Sequence, residues 1–488
     1  MRMEAQIVQA SSDSRALTIQ VPLEFKKYLA LIFALAVGCA IWNVPPAGPI
    51  DEKGMHFLAT LAVAVTLWMF ELFDEYVVAL ALLLSWVVSD IVPSKVALAG
   101  FSENSWFFVI GALGIGAAVS KTGLLYRLSD QVLSRIPLHY YRTYTFFLFA
   151  SGLLTTPLLP TGKARAVIAV PVSQAISEAN GFAHRSNGSA ALSLAAVTGF
   201  TQMSFMFLTG SESCLIGWNL LPPASKSEFG WTMWFLAALP AVVVIFLFVF
   251  GSIHLLFPLK AHDKANISNK ALRPQLKNLG PLTKAEWIAL LTLALTLTGW
   301  LTMPLHGVNE AWVALAALSM FLLTGVLDKN GFKNLDWGLI LFFGIVISMA
   351  TVSAHLKVDR WFMKVIEPVL GSFSLGPLSF LAAVLLLVGF ARLFIRKAAV
   401  VTFFTLTLLP SGQDFGIHPG VLLLTILMAN ECFFLPYQDG PYQVAYSSTQ
   451  GTAFSHAQAR KLMLAKCLAT FAAIAVSIPY WRLLGLIN

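Results

Sequence analysis

The chain has 488 residues, of which 57% are hydrophobic and only 11% are charged. Soluble domains contain about 25% charged residues, so this composition excludes a soluble protein and predicts an integral membrane protein. The formal net charge of +8 does not indicate nucleic-acid binding. The basic residues lie mostly in short loops between apolar segments, where retention of those loops in the cytoplasm explains them.

The N-terminal arm, residues 1–27, is polar and of mixed charge, which is not the pattern of a cleavable signal peptide. We therefore expect the first apolar segment to be a permanent membrane span. The four cysteines occur singly in or near apolar segments, without a CxxC pattern or a disulfide framework, and we interpret them as small buried hydrophobic residues. Neither a metal site nor a cofactor is predicted.

Apolar segments then follow one another along the chain. They are 28–44, 55–71, 76–93, 105–121, 144–159, 163–179, 190–209, 232–257, 285–303, 310–327, 335–356, 375–395, 397–410, 418–436 and 461–487. A helical span needs about 20 residues, and most of these segments are long enough. The exceptions are 144–159, 163–179 and 397–410. The predicted fold is an all-α polytopic membrane protein.

The distribution of Lys and Arg predicts the topology. The N-terminal arm, segment 121–142 and the linker 258–284 are basic, so we place all three in the cytoplasm. The number of spans between these cytoplasmic segments is consistent only if 144–179 is a re-entrant hairpin from the cytoplasmic side. The same count of spans in the second half makes 375–410 a hairpin from the outer side. We therefore expect about 11 transmembrane helices and two re-entrant hairpins in a bacterial inner membrane, with the N-terminus cytoplasmic and the C-terminus outside.

The two transmembrane halves, 28–257 and 285–488, correspond to each other. Each contains three spans, a hairpin and two further spans, and the second half begins on the opposite side of the membrane. Inverted repeats of this kind characterise secondary transporters, whose binding sites lie near the midplane where broken helices meet. The sequence therefore predicts alternating access around a site shared by both halves.

Each half has a cationic hairpin tip followed by an acidic break in the next span. The tips carry Lys163 with Arg165 and Arg396 with Lys397, and the breaks carry Glu212 and Asp439. A buried charge is costly without a partner, so we predict that the lysine of each tip pairs with the acid of the break in its own half. Four cations and two carboxylates would leave a charge of +2, which suits a small dianion.

Each of these features also has a simpler interpretation. Lys163 and Arg165 could lie in a cytoplasmic loop between two short spans, and the second cationic pair could cap a span at the outer face. Glu212 and Asp439 could be ordinary loop acids. Glu431, which falls inside an apolar segment, is a candidate proton carrier, although such residues are more often interhelical hydrogen-bonding groups. Agreement of the four positions between the halves favours a shared site.

The layout resembles the divalent-anion:sodium symporters, the di- and tricarboxylate carriers, over residues 28–487. The motif Ser105-Trp106-Phe107-Phe108-Val109-Ile110-Gly111-Ala112, with Thr122-Gly123-Leu124 after it, looks like that family's fourth span and its end. Leu335-Asp336-Trp337 and Leu341-Phe342-Phe343-Gly344 look like the corresponding segment of the second repeat. The resemblance implies elevator-like movement of the hairpin-bearing domain and a homodimer.

The family carries a Ser-Asn-Thr motif at each hairpin tip and a Thr-Pro-Pro-like motif at each following unwound segment, and together these bind the carboxylates and flank two sodium ions. By position the two Ser-Asn-Thr motifs fall on Thr161-Gly162-Lys163 and Ile395-Arg396-Lys397, so a lysine replaces the final threonine in both repeats. The family's Thr-Pro-Pro-like motifs fall on Gly210-Ser211-Glu212 and Gln438-Asp439-Gly440-Pro441. A fixed ammonium would repel sodium and could replace it structurally, so the resemblance with this departure implies a carrier that is not sodium-coupled.

We therefore predict a secondary active transporter of a small, di- or tricarboxylate-like organic anion. The candidate substrate ligands are Thr161, Gly162, Lys163, Arg165, Ser211, Arg396, Lys397, Gln438 and Pro441, and the candidate counter-charge or coupling residues are Glu212, Asp439 and Glu431. Apart from the anion, the expected partners are a proton or an exchanged anion, membrane lipid and a second copy of the chain.

Other functions stay open at this point. One is a proton-coupled symporter or an exchanger for a non-carboxylate anion such as sulfate or a sulfonate. Another is an anion channel, which would also line its path with Lys and Arg, but closed hairpin tips argue against a continuous pore. An enzyme is not expected, because the sequence contains no HExxH, GxSxG or paired-carboxylate pattern.

Overall fold

The structure is a computed structural model. It describes residues 23–46, 50–70, 72–124, 127, 141–159, 161–259, 281–358, 361, 376–393 and 395–488. Residues 1–22 of the N-terminal arm and residues 260–280 of the basic linker lie outside the described residues. So do Pro160 and Phe394, next to the two predicted hairpin tips. Topology predictions that depend on these segments stay predictions.

The first half of the chain forms eleven helices within the described residues. They are α1 (Leu23–Trp42), α2 (Glu52–Met69), α3 (Glu75–Val88), α4 (Ser94–Ala97), α5 (Asn104–Thr122), α6 (Tyr141–Thr155), α7 (Gly162–Ala179), α8 (Asn187–Thr201), α9 (Glu212–Asn219), α10 (Pro223–Glu228) and α11 (Trp231–Leu256). Short 3₁₀ turns lie at Ala99–Ser102, Thr156–Leu158 and Ser204–Met206.

The second half adds ten helices among the described residues. They are α12 (Lys284–Leu301), α13 (Met303–His306), α14 (Glu310–Leu323), α15 (Lys329–Lys333), α16 (Trp337–His355), α17 (Pro377–Ala391), α18 (Lys397–Asp414), α19 (Pro419–Asn430), α20 (Gly440–Ser448) and α21 (His456–Leu483). A 3₁₀ turn spans Pro436–Gln438, and the described residues contain one isolated antiparallel bridge, between Ile417 and Ile487.

Within the part of the chain that the structure describes, four helices are long and apolar enough to cross a membrane, namely α5, α11, α16 and α21. Shorter apolar helices include α3, α14, α17 and α19. The prediction of an all-α polytopic membrane protein is therefore confirmed. The number of spans, about eleven, stays a prediction, since several of the expected segments form helices shorter than a full span.

Local sequence explains where many helices begin and end. Thr283 with Glu286 and Ser455 with Gln458 form capping boxes, which satisfy the free N–H groups at the starts of α12 and α21. Gly123 follows α5 with φ +73°, the left-handed conformation that glycine adopts without strain. Such signals place helix ends more precisely than hydropathy does.

Two helices stop earlier than their apolar segments predict. Segment 190–209 is helical only to Thr201, and 418–436 only to Asn430. We call 202–211 the first break and 431–439 the second break. Hydropathy predicts that Glu431 lies inside a span. In the structure it is instead the C-terminal cap residue of α19.

The helices around the breaks pack in a reciprocal pattern. The first helix pair, α6 and α7, packs on α8, and the second helix pair, α17 and α18, packs on α19. Across the halves, α7 packs on α20 while α18 packs on α9, and α3 packs on α16 while α5 packs on α14. The breaks and the starts of α7 and α18 consequently meet in the centre of the molecule.

Close helix contact in the first half depends on two glycines. A Cβ added at Gly199 in α8 would lie 2.2 Å from the carbonyl oxygen of Phe149 in α6, and one at Gly152 would lie 2.4 Å from the backbone of Gly199. No side chain fits between these backbones. Small residues at such crossings are the usual means by which membrane helices approach closely.

Gly199→Ala is therefore expected to destabilise the protein by about 1–3 kcal/mol, since α6 and α8 must separate. Thermal unfolding of the purified protein in detergent measures this. Gly251→Ala in α11 is the matched control, because a Cβ there meets nothing within 4 Å and alanine favours the helix. Equal unfolding temperatures for the two variants would contradict the close crossing.

Candidate functional site

One central cavity of about 610 Å³ lies where the two breaks and the helix starts meet. It is lined by Glu75, Gly162, Lys163, Thr201, Ser204, Ser211, Glu212, Ser213, Arg396, Lys397, Ala398, Glu431, Gln438, Gly440, Pro441, Gln443, Val444 and Ser447. Both halves of the chain contribute. Of the predicted substrate ligands, all but Thr161 and Arg165 line this cavity.

Lys397, the first residue of α18, is held by two acids of the second break. Its ammonium group pairs with Asp439 Oδ2 and lies 3.6 Å from Glu431 Oε2. The side chain of Lys397 is 21% exposed, whereas that of Asp439 is 0% exposed. Asp439 also caps α20, since its Oδ1 accepts a hydrogen bond from Tyr442 N at 2.7 Å. The structure thus contains the Lys397–Asp439 pair expected from the sequence.

Arg396 faces an acid that the sequence argument missed. Its Nη1 lies 3.7 Å from Glu75 Oε1, at the start of α3. An acid in the first turn of a helix looks like an ordinary stabiliser of the helix dipole, so nothing in the local sequence distinguished Glu75. Only its place beside the cavity does so.

Lys163 and Glu212 line the same cavity but are not an ion pair within 4.0 Å, so the second predicted pair is wrong for this structure. The side chain of Lys163 lies over the start of α20 instead, where a Cβ added at Gly440 would be 3.1 Å from Lys163 Cε. Packing of Gly162 against Pro441 sets this position, since a Cβ at Gly162 would lie 2.9 Å from Pro441 Cγ.

Arg165 does not line the cavity, which corrects its prediction as an anion ligand. The side chain is fully buried. Its guanidinium donates hydrogen bonds to the carbonyl oxygens of Phe200, Thr156 and Leu159, and to Ser204 Oγ at 2.9 Å. These bonds tie the junction of the first helix pair to α8 and the first break. Arg165 follows Lys163 by two residues, which is about 200° around α7, so it points away from the cavity that Lys163 lines.

A second buried arginine performs a similar task in the other half. Arg392 donates to the carbonyl oxygens of Ile395 and Gln438. The Gln438 amide is itself engaged, because its Nε2 donates to Arg392 O at 2.6 Å and its Oε1 accepts from Phe434 N and Leu435 N. Gln438 therefore shapes the second break, although it also lines the cavity.

Two other predicted ligands, Ser211 and Thr161, lie at helix starts. Ser211 is the N-cap of α9, where its Oγ accepts a hydrogen bond from Cys214 N at 3.3 Å. Thr161 is the N-cap residue of α7 without a side-chain capping bond.

A lysine that the sequence argument overlooked, Lys466 in α21, is fully buried and donates a hydrogen bond to Glu431 O at 3.0 Å. It lies in a helix that also carries Arg460, Lys461 and Arg482, so its charge alone did not distinguish it.

The charge of the cavity differs from the +2 expected from the sequence. Three cations line it, Lys163, Arg396 and Lys397, and so do three carboxylates, Glu75, Glu212 and Glu431. Asp439 lies behind Lys397 and adds a further negative charge. The expected surplus is absent because Arg165 points elsewhere and because two additional acids face the cavity.

Comparison with known proteins identifies the family. The family described as "Sodium:sulfate symporter transmembrane region" matches residues 25–487. The protein belongs to this family. This sodium:sulfate symporter family match confirms the resemblance to divalent-anion:sodium symporters, and it identifies the protein as an anion transporter of the membrane.

Individual members are distant in sequence. The chain is 23% identical over 356 residues to the putative malate transporter YflS of Bacillus subtilis, a match that covers 71% of this chain and 74% of the relative. It is 21% identical over 430 residues to the sodium-dependent dicarboxylate transporter SdcS of Staphylococcus saprophyticus, with 82% and 81% covered. Dicarboxylate transporter 1 of Arabidopsis thaliana chloroplasts is 25% identical over 403 residues, with 79% and 71% covered.

A solved structure shares the fold. The YdaH transporter of Alcanivorax borkumensis superposes with a TM-score of 0.53 at 14% identity, and the match covers 95% of this chain and 98% of that one. At this identity the likeness concerns the fold alone.

Proposed function

We propose that this member of the sodium:sulfate symporter family is a secondary carrier of a small, dicarboxylate-like organic anion that does not depend on sodium. The observation that carries the proposal is Lys397, whose ammonium sits between Asp439 and Glu431 at the cavity. By position in the chain, Lys397 corresponds to the final threonine of the family's Ser-Asn-Thr motif, which flanks a sodium ion. A fixed ammonium at this position takes the place of a sodium ion between the carboxylates and supplies the charge that the ion would bring.

In the first half, Lys163 likewise stands where the family has the final threonine of its Ser-Asn-Thr motif. Its ammonium lines the cavity and has no ion-pair or hydrogen-bond partner among the described residues. A cation without a partner beside a cavity is suited to binding a carboxylate of the substrate. The relatives named as malate and dicarboxylate transporters support this substrate class.

We further propose that the helix pairs α6–α7 and α17–α18 are the two re-entrant hairpins, and that they move as part of an elevator-like domain in a homodimer. Reciprocal packing of α7 on α20 and of α18 on α9 supports the internal repeat. Alternating access in transporters of this type is rigid-body movement around a site between repeats.

Uptake of labelled malate into proteoliposomes tests the sodium proposal. Replacing sodium by potassium on both sides should change the initial rate by less than about twofold, since no sodium site takes part in binding. Protein-free vesicles give the background. A rate that requires sodium and rises with more than one sodium ion per malate would contradict the proposal.

The same vesicles distinguish a carrier from a channel. We expect labelled malate to accumulate by counterflow when the vesicles are loaded with unlabelled malate, because a carrier exchanges substrate through one site. Sulfate and a sulfonate serve as competitors that test the alternative substrates. A current that follows the electrochemical gradient without counterflow would indicate a channel instead.

A further inference from the structure

The carboxylate of Glu212 differs from the other acids at the cavity. Glu75 lies 3.7 Å from Arg396, and Glu431 and Asp439 both hold Lys397. Glu212 has neither an ion-pair nor a hydrogen-bond partner among the described residues, although it lines the cavity. Its position at the start of α9 fixes it there, since Ser211 caps that helix.

Binding of a dianion changes the surroundings of Glu212. With three cations and three carboxylates on its wall, the cavity has no positive surplus to balance two incoming negative charges. Lys163, the cation available to the substrate, is also a cation that attracts Glu212. A bound carboxylate on Lys163 therefore weakens that attraction and adds a like charge, and like charges sharing a site disfavour ionisation.

Other charged groups around Glu212 do not remove this conflict. Those that act on it or share its cavity are Lys163 and Arg165 from α7, Lys397 and Arg396 from the start of α18, Glu75 from α3, Asp336 from the start of α16 and Glu431 from the end of α19. Lys397 is already shared by two carboxylates, and Arg396 faces Glu75. The guanidinium of Arg165 is engaged by three carbonyl oxygens and Ser204 Oγ, and it does not line the cavity. No described cation is therefore free to compensate Glu212 once the anion is bound to Lys163.

We propose that Glu212 is the proton-coupling residue of this carrier, taking up one proton from solution when the anion binds and releasing it when the anion leaves. The inference rests on the proposed anion-carrier function. Each cycle then moves one proton together with each anion, and the proton occupies a carboxylate oxygen of Glu212 in the loaded state only. Coupling of this kind is reciprocal, so protons tighten anion binding by the same factor as the anion tightens proton binding.

Calorimetry on the purified protein tests the proposal directly. Malate stays a dianion between about pH 6.5 and pH 8.5, and its affinity should fall by up to about tenfold for each unit of rising pH in which Glu212 is ionised in the free protein. Repeating the titration in buffers of different ionisation enthalpy counts the protons taken up, and we expect about one per malate. Zero protons, with malate still bound, would overturn the proposal.

The variant Glu212→Gln should abolish the pH dependence of malate affinity and the proton uptake. Glu178→Gln is the matched control, because Glu178 is exposed at the end of α7 and away from the cavity, and it should keep both. Persistence of the full pH dependence in Glu212→Gln would overturn the assignment. If this variant does not fold, zero proton uptake by the unmodified protein would still overturn the proposal.

Two further outcomes separate the possible causes of failure. Unmodified protein that binds no anion and shows no counterflow would refute the proposed function, whereas counterflow without proton uptake would refute only the role of Glu212. Aspartate carries an ammonium group that malate lacks. If aspartate binds more tightly than malate and Glu212→Gln removes that preference, Glu212 pairs with a substrate ammonium, and the proton proposal is wrong.

Discussion

Lys397→Met is expected to lower anion affinity by about a hundredfold and to destabilise the protein by about 3 kcal/mol. The substitution removes the one group held by both Asp439 and Glu431 and leaves the fully buried carboxylate of Asp439 without its cation. Breaking a buried pair from one side is more damaging than removing both charges. Thermal unfolding in detergent and malate calorimetry measure the two effects.

Variants of the partner acid sharpen this prediction. Asp439→Asn should be milder than Lys397→Met, because asparagine can still cap α20 and Lys397 keeps Glu431 at 3.6 Å. The double variant Lys397→Met with Asp439→Asn should recover part of the stability, since only Glu431 and no longer both acids is left without the ammonium, but none of the binding. Recovery of malate affinity in the double variant would show that Lys397 is not a ligand.

An exposed ion pair supplies the matched control. Lys53 Nζ lies 2.9 Å from Asp90 Oδ2, but the two side chains are 48% and 90% exposed. Exposed pairs contribute about 0–1 kcal/mol, so Lys53→Met should leave both stability and affinity nearly unchanged. If Lys53→Met lost as much stability and malate affinity as Lys397→Met, the effect of Lys397→Met would not be due to the position of Lys397 at the cavity.

The sequence was sufficient for the class of protein and for one half of the site. Composition and apolar segments predicted a polytopic helical membrane protein, and the pairing of Lys397 with Asp439 followed from the cost of burying either charge alone. Both inferences depend on quantities that are local to a residue or a segment. Such quantities can be read along the chain.

The remaining features of the site depend on the directions in which side chains point, and the order of residues in the sequence does not give these directions. Arg165 is close to Lys163 in sequence, yet its position on α7 turns it away from the cavity, toward carbonyl oxygens of α8 and of the turn after α6 and toward the Ser204 hydroxyl of the first break. Glu75 is far from every hairpin tip in sequence, yet the packing of α3 on α16 brings it to Arg396. The predicted net charge of the cavity was therefore wrong, because the charged residues were assigned to the cavity by their proximity in the sequence.

Arg165→Lys is expected to reduce transport by at least about a hundredfold by loosening the first helix pair, with little direct change in substrate chemistry. The guanidinium spans three backbone carbonyls and Ser204 Oγ, which a single ammonium cannot reach together. At least two buried carbonyl acceptors lose their donor, at about 1–3 kcal/mol each, so the unfolding temperature should fall as well. Initial rates in proteoliposomes and thermal unfolding in detergent measure the two effects.

Two other arginines make this prediction specific. Arg392→Lys should behave in the same way, because Arg392 holds the carbonyl groups of Ile395 and Gln438 in the second half. Arg460→Lys, at an exposed position of α21, should be neutral. If Arg165→Lys were as stable as the unmodified protein but bound malate weakly, Arg165 would be a ligand in a state other than this one. Loss of stability in both buried variants, with Arg460→Lys unaffected, identifies Arg165 and Arg392 as positioning residues for the lysines that face the substrate.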